Sequence, residues 1–235
     1  MKLRTAVATI ALGLTGIGGA HAASLTYTFS ADNAYSVYIS SNDSMLGTPV
    51  SSTLGGGASQ WNDPGPTTTI TLNGPVEYLQ VIVYNYTSSN GLWTTPETGP
   101  TGNNPVGLIG TLSITGGVFP NGATSISTDT VNWLSAQIKV PTPDNVALVN
   151  WVPPDSAPQS YGTNGISPWN TLGNGISPSA EWIWSSADPN NYEYADFSIE
   201  ITSTPLPAAW SMMLIGLAAL GFVGYRKKSA VLAAA

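Results

Sequence analysis

The chain has no cysteine and a single histidine, His21, and nearly all of its few cations sit at its two ends. Between residues 23 and 203 there is no histidine, cysteine or arginine, and Lys139 is the only basic residue. Each absence removes a class of function. Without histidine or thiol this segment cannot build a Ser-His-Asp triad, a Cys-His pair or a zinc site ligated by imidazole or thiolate. Without arginine it has no planar guanidinium to clamp a carboxylate or phosphate. All thirteen carboxylates of the chain lie in the same segment, so against Lys139 alone it carries a formal charge of −12, where the whole chain carries −7. A surface of that sign cannot neutralise phosphates, which argues against nucleic acid as a partner. It favours solubility and attracts divalent cations. A segment of about 180 residues is long enough to bury a core without disulfide staples.

The two ends read as addresses. Lys2 and Arg4 precede the apolar run AVATIALGLTGIGGA, which leads into Ala20-His21-Ala22. A positive start, a short apolar stretch and small residues at the A-x-A positions mark a secretory signal, residues 1–22, cut by signal peptidase after Ala22. A retained anchor is the competing reading, and the short, Gly-rich run disfavours it. At the other end, residues 208–225 carry no charge. As a helix rising about 1.5 Å per residue they would span roughly 27 Å, enough for a thin hydrocarbon core. Trp210 and Tyr225 sit at the ends of this run, where amphipathic rings prefer the interface, and Arg226, Lys227 and Lys228 follow at once on the expected cytoplasmic side. The body, residues 23–203, is therefore expected outside the inner membrane.

The body itself reads as all-β. Leu25, Tyr27 and Phe29 alternate with polar residues, as do Tyr35, Val37 and Ile39; Ile70 and Leu72; Leu112 and Ile114; and Phe197, Ile199 and Ile201. This period of two marks strands with one face inward. The nearly continuous run YLQVIVY, residues 78–84, reads as a central strand buried on both faces, and residues 131–140 contain another strand. Asn73-Gly74, Asn90-Gly91, Asn121-Gly122 and ETGPTGNNP punctuate the chain as turns. No helix is expected before residue 205. Many short strands on one chain of this length predict an antiparallel β-sandwich or jelly roll without an internal domain boundary. Seven tryptophans and nine tyrosines in the body exclude a disordered segment.

Two resemblances bear on this reading. Pro205-Leu206-Pro207, a Gly-rich apolar helix and Arg226-Lys227-Lys228, in that order, resemble the PEP-CTERM sorting signal; Leu206 stands where the usual tripeptide has Glu, in the PLPAAW form also seen in that family. The resemblance covers residues 204–235. It implies recognition by an exosortase-type enzyme of Gram-negative bacteria that make exopolysaccharide. It also implies an inner-membrane intermediate, removal of the helix and cations, and delivery to the cell surface or extracellular matrix. The last residues, SAVLAAA, exceed that family's usual tail. More broadly, SADNAYSVYIS, TTTITLNGPVEYLQVIVYNYT, GLIGTLSIT, the order of Trp133, Trp151, Trp169, Trp182 and Trp184, and the final YADFSIEIT are similar to galactose-binding-domain-like β-sandwiches. Ser41-Asn42 departs from the Asn-Gly expected after such a strand. This likeness implies a jelly roll that either binds sugar or serves as a structural module.

Candidate sites follow from the same residues. A sugar site needs aromatic faces beside amide and carboxylate groups. Trp61 beside Asn62 and Asp63, and Trp93 in a polar loop, lie outside the strand patterns and are the ligand-binding candidates. Tyr161, Trp169 and Tyr192 are further material, whereas Trp133, Trp182 and Trp184 fall in strand-like runs and read as core. The segment Asn164-Gly165-Ile166-Ser167-Pro168 recurs as Asn174-Gly175-Ile176-Ser177-Pro178. It reads either as matched loops presenting Trp169 or as turn chemistry used twice, and common turn formers favour the second. Asp188, Asn190, Asn191 and Glu193 offer oxygen ligands for a calcium ion, against the competing reading of a solvated acidic turn. No other cofactor is implied. Two carboxylates suffice for a glycoside hydrolase, but Glu77, Glu181 and Glu193 form no recognisable pair. The expectation is a non-catalytic, exported protein that associates with exopolysaccharide or another glycan, with a purely structural or adhesin-like matrix protein as the alternative.

Overall fold

The computed structural model describes residues 23–32, 34–53, 64–84, 106–138, 151–185, 194–204 and 215–219. Residues 22–204 form one compact unit. Its strands are β1 (Ser24–Asp32), β2 (Ala34–Ser40), β3 (Thr48–Ser52), β4 (Thr68–Thr71), β5 (Val76–Tyr84), β6 (Gly107–Thr115), β7 (Gly117–Val118), β8 (Ser125–Ser127), β9 (Leu134–Ile138), β10 (Gln159–Thr163), β11 (Glu181–Trp184) and β12 (Tyr194–Ser203). They make two antiparallel six-stranded sheets. The first runs β10-β11-β6-β1-β4, with β8 also on β6; the second runs β3-β2-β5-β12-β7, with β9 also on β12. The all-β expectation holds, and the two sheets pack as a sandwich.

The sheets share one construction. In the first, β6 pairs along its full length with β1, and its other edge is divided between β11 at Leu108 and β8 at residues 111–113. In the second, β12 pairs with β5 from Tyr194↔Tyr84 to Thr202↔Val76, and its other edge is divided between β9 and β7. Only the β2–β3 and β10–β11 connections join strands of the same sheet; the rest cross between sheets. Such crossing allows strands distant in sequence to be neighbours, as β1 and β6 are.

The alternation read in the sequence decides the faces. Leu25, Tyr27, Phe29 and Ala31 of β1 point inward and meet Val37 of β2, Leu79, Val81 and Val83 of β5, and Phe197, Ile199 and Ile201 of β12 in one cluster. Aromatic rings tie the two sheets together. Phe29 meets Tyr35 and Trp133 edge-on at 5.9 Å and 6.0 Å, and Trp184 meets Phe197 at 6.1 Å. Edge-to-face contacts of this kind add stabilisation beyond area burial. The Trp133 indole N–H donates to the Ser127 carbonyl at 3.2 Å, so the ring is buried without an orphaned donor. As expected, β5 is central and buried on both faces. The strand within residues 131–140 is β9. The short strands β3, β7, β8 and β10 carry too few apolar residues for a period of two to show.

The expected signal, residues 1–22, lies outside the described residues. Within the C-terminal run only residues 215–219 are described; they are helical and exposed. Among the described residues no helix is long and apolar enough to cross a membrane.

Candidate functional site

The expected ligand-binding tryptophans, Trp61 and Trp93, lie outside the described residues, as do the calcium candidates Asp188, Asn190 and Glu193. The same holds for the signal-cleavage residues Ala20 and Ala22 and for the sorting residues Pro205, Leu206, Pro207, Arg226, Lys227 and Lys228. Among the described residues no three acidic or metal-ligating side chains converge to hold a metal ion. Trp133, Trp182 and Trp184 are buried, as their strand-like context predicts.

The repeated NGISP segment is settled by its local geometry. Gly165 and Gly175 both have positive φ, 102° and 91°, a region that favours glycine. The Asn164 side chain receives the Leu172 N–H at 2.8 Å and donates to the carbonyls of Leu172 at 2.9 Å and Ser177 at 3.3 Å. One amide thereby ties the first copy to the second. Ser177 N–H reaches back to the Thr111 hydroxyl of β6 at 2.8 Å. The repeat is turn chemistry, and it lays residues 164–180 across part of the outer face of the first sheet. Trp169, far from being presented, is 1% exposed and stacks on Trp182 at 4.6 Å and 14°. Ile109, Leu172, Ile176 and Ala180 complete this satellite core. Gly107 is required beneath it, since a Cβ there would lie 2.7 Å from the Trp182 ring. The indole nitrogens of Trp169 and Trp182 and the Tyr161 hydroxyl are buried without hydrogen-bond partners.

The outer face of the second sheet holds a polar constellation built on Gln80, Asp43 and Ser198. Gln80, at the middle of β5, is fully buried. Its carbonyl oxygen receives Gly47 N–H at 2.9 Å, and its amide nitrogen donates to the Met45 carbonyl at 3.0 Å and to Asp43 Oδ1 at 3.4 Å. Ser198 of β12 donates to Asp43 Oδ2 at 2.9 Å, and the Trp151 indole N–H donates to the Asp43 carbonyl at 2.8 Å. Residues 41–47 are thus held down over the sheet by side chains from two central strands. Burial pushes the Asp43 carboxyl above its ordinary range; the hydrogen bonds from Ser198 and Gln80 oppose that and nearby Glu200 adds to it.

Asp196, two residues before Ser198 on the same face, is fully buried. Its Oδ2 receives Val152 N–H at 2.8 Å, while Oδ1 is buried without a hydrogen-bond partner. Burial pushes its pKa up to about 8, against the lowering effect of the Val152 N–H. Its side chain shares the face with Ala34, Ile82, Tyr84 and Tyr194, the small cluster against which Trp151 packs. The group latches residues 151–152 to β12 through the Val152 N–H, and its burial favours the protonated form. The alternation Asp196, Ser198, Glu200 in the sequence reads as a solvent face. Glu200 is exposed, but Asp196 and Ser198 are covered, because loops distant in sequence fold over them.

Comparison of the chain with protein-family models, with curated proteins and with solved structures finds no match. The side-chain hydrogen bonds on the two outer faces act as latches. Asp43, Gln80, Asp196 and Asn164 each hold a non-strand segment against a sheet. Sequence reasoning missed the first three. The only local signal for Asp196 was an acid inside an otherwise apolar-alternating strand.

Proposed function

We propose that this is an exported, non-catalytic surface or matrix protein, sorted by an exosortase-type enzyme and associated with exopolysaccharide through weak carbohydrate binding. The single observation that carries the sorting is the ordered tail: Pro205-Leu206-Pro207, an uncharged apolar run, then Arg226-Lys227-Lys228. The run has the composition of a membrane helix and the cations have the placement of a cytoplasmic stop. In this reading signal peptidase cuts after Ala22, and the tail holds the body at the inner membrane until the enzyme removes it. The chain crossing repeatedly between two antiparallel sheets suits a jelly roll of the galactose-binding-like kind. Trp61 and Trp93 are the residues proposed to meet the glycan, with calcium at residues 188–193 as an auxiliary ligand.

Mass spectrometry of the protein recovered from the surface of producing cells tests the sorting. The expected product lacks Arg226 to Lys228; a surface form that keeps them overturns removal. Retention on the cells' own exopolysaccharide, with and without calcium, tests the carbohydrate reading. Trp61→Ala and Trp93→Ala are expected to weaken it.

A second reading, a structural matrix protein without a small ligand, is favoured by one observation. Gln80, Ser198 and one oxygen of Asp196, on the outer face of the second sheet, are engaged in latching the protein's own loops. Saturable glycan binding would exclude it.

A further inference from the structure

The pentapeptide Asn-Gly-Ile-Ser-Pro stands at residues 164–168 and again at 174–178, and its two copies fold differently. In the first, Ile166 N–H closes a turn on the Thr163 carbonyl at 3.0 Å, and of the two central residues only Gly165 has positive φ. In the second, Ile176 N–H closes a turn on the Gly173 carbonyl at 3.2 Å, and both central residues have positive φ, Asn174 at 53° and Gly175 at 91°. These are the type II and type I′ patterns. The surroundings of the two asparagines differ as well. Asn164 is half-buried, and its amide is engaged at both ends: Leu172 N–H donates to Oδ1, and Nδ2 donates to the carbonyls of Leu172 and Ser177. Gly173, Asn174 and Gly175 are all exposed. Neither the Asn174 side chain nor the Gly175 N–H has a hydrogen-bond partner.

An Asn-Gly step is a place where a chain can modify itself. The glycine nitrogen loses its proton to base and attacks the asparagine Cγ. A new N–C bond closes a succinimide ring, and the Cγ–Nδ2 bond breaks with release of ammonia. Water then opens the ring at one carbonyl or the other and leaves aspartate or isoaspartate. Glycine favours the closure because it brings no Cβ against the ring. The attacking N–H must be free to lose its proton, and the side chain must be free to turn Cγ onto that nitrogen.

Four Asn-Gly steps lie among the described residues. At Asn73-Gly74, the Glu77 carboxylate accepts the N–H groups of both residues. At Asn121-Gly122, the Phe119 carbonyl holds Gly122 N–H at 2.8 Å and the Ala123 N–H holds Asn121 Oδ1 at 2.9 Å. At Asn164-Gly165 the amide is held by its bonds to Leu172 and Ser177. Only at Asn174-Gly175, among the described residues, are the attacking nitrogen and the side chain both unengaged.

We propose that Asn174 is a site of spontaneous deamidation, and that the fold protects the same pentapeptide at Asn164. The aspartyl product adds a carboxylate to an exposed turn and keeps its backbone, because aspartate tolerates positive φ. The isoaspartyl product routes the main chain through Cβ and lengthens the turn. Ile176 of the satellite core and the Ser177 N–H bonded to Thr111 follow directly, so this product loosens residues 164–180 where they meet β6.

The test incubates the full chain in detergent micelles at mildly alkaline pH and maps the digested product by mass spectrometry, with aspartyl and isoaspartyl peptides separated by chromatography. Asn174 is expected to convert first of the four. Asn164 is expected to convert about tenfold more slowly, since its hydrogen bonds must break before Cγ can turn. In urea the two copies are expected to convert at similar rates. Equal rates at Asn164 and Asn174 in the folded chain, or faster conversion at Asn73 or Asn121, would overturn the assignment. A difference that persists in urea would assign it to flanking sequence and overturn protection by the fold. Asn174→Gly suits the positive φ and has no amide to lose. Hydrogen exchange at Ser177 is expected to rise in the aged parent and to stay constant in this variant; an equal rise in both would overturn the loosening.

Discussion

On the outer face of the first sheet the hydroxyls of Thr69, Thr71 and Ser113 stand open, whereas on the outer face of the second sheet Gln80, Asp196 and Ser198 lie buried beneath residues 41–47 and 151–152. The first face comes from strands that alternate apolar and polar residues, the second from β12, which alternates, and from β5, a nearly continuous apolar run with Gln80 at its middle. The difference lies in what the polar groups can hold. Threonine and serine hydroxyls pair with each other across strands and need nothing further. Glutamine and aspartate reach farther and bind backbone groups of passing loops, and once a loop is held the polar group is sealed in with it. A buried, satisfied amide such as Gln80 rigidifies, while a buried acid whose Oδ1 has no partner, such as Asp196, becomes sensitive to pH.

Four sets of substitutions and a titration test that contrast. The largest effect is expected at the covered end of the first sheet. Trp182→Ala would remove half of the Trp169–Trp182 stack and open a cavity over Gly107, costing about 3–5 kcal/mol in urea unfolding. A loss well under 2 kcal/mol would mean that residues 164–180 collapse into the space.

The next effect is the pH response of the second sheet. Asp196 has a folded pKa of about 8, above its ordinary value of 3.8. Between those values the folded chain keeps a proton that the unfolded chain has released, so stability falls as pH rises through this window and levels off above it. Asp43, also pushed upward by burial, acts in the same direction. The expected result is a melting temperature that declines steadily from about pH 4 to about pH 8. In Asp196→Asn most of that slope should vanish. An equal slope in the variant would assign the dependence to other groups.

Smaller losses are expected where a latch is cut. Asn164→Ala frees the backbone of Leu172 and Ser177, and Asp43→Ala leaves Ser198 without its acceptor. Each is expected to cost about 1–3 kcal/mol. Hydrogen exchange should rise at Leu172 in the first variant and around residues 41–47 in the second. The smallest effect on stability belongs to the open hydroxyls of the first sheet, where Thr69→Val with Ser113→Ala should change it by no more than about 0.5 kcal/mol. A larger loss would show that the hydroxyls are structural.

Much of the fold was legible because alternation is a local property. Leu25, Tyr27 and Phe29, or Phe197, Ile199 and Ile201, announce their faces without reference to any other segment. The run at residues 78–84 announced a central strand because polar residues are scarce in it. The short strands were not legible, since β7 has two residues and β8 three. For Trp169 the pattern allowed two readings, and the structure chose burial because an indole that can stack on Trp182 and exclude water gains more there than in solvent. Of the polar face, the sequence allowed hydroxyls and carboxylates to be read alike as outward. Which of them stayed in water depended on loops arriving from elsewhere in the chain, as Val152 reaches Asp196 across 44 residues and Asp43 reaches Ser198 across 155.

Local sequence was enough for the class of strand, the direction of each face, the excess of negative charge and the absence of histidine, cysteine and arginine chemistry from the body. These follow from residue identity and from a repeat of two along the backbone. The order of strands in the two sheets, the burial of Asp196 and Gln80, and the alignment of Ser24, Thr26, Thr69, Thr71, Ser113 and Thr115 side by side came from long-range packing. Those depend on register between segments far apart in the chain, and register is set by pairing and packing that no single segment contains.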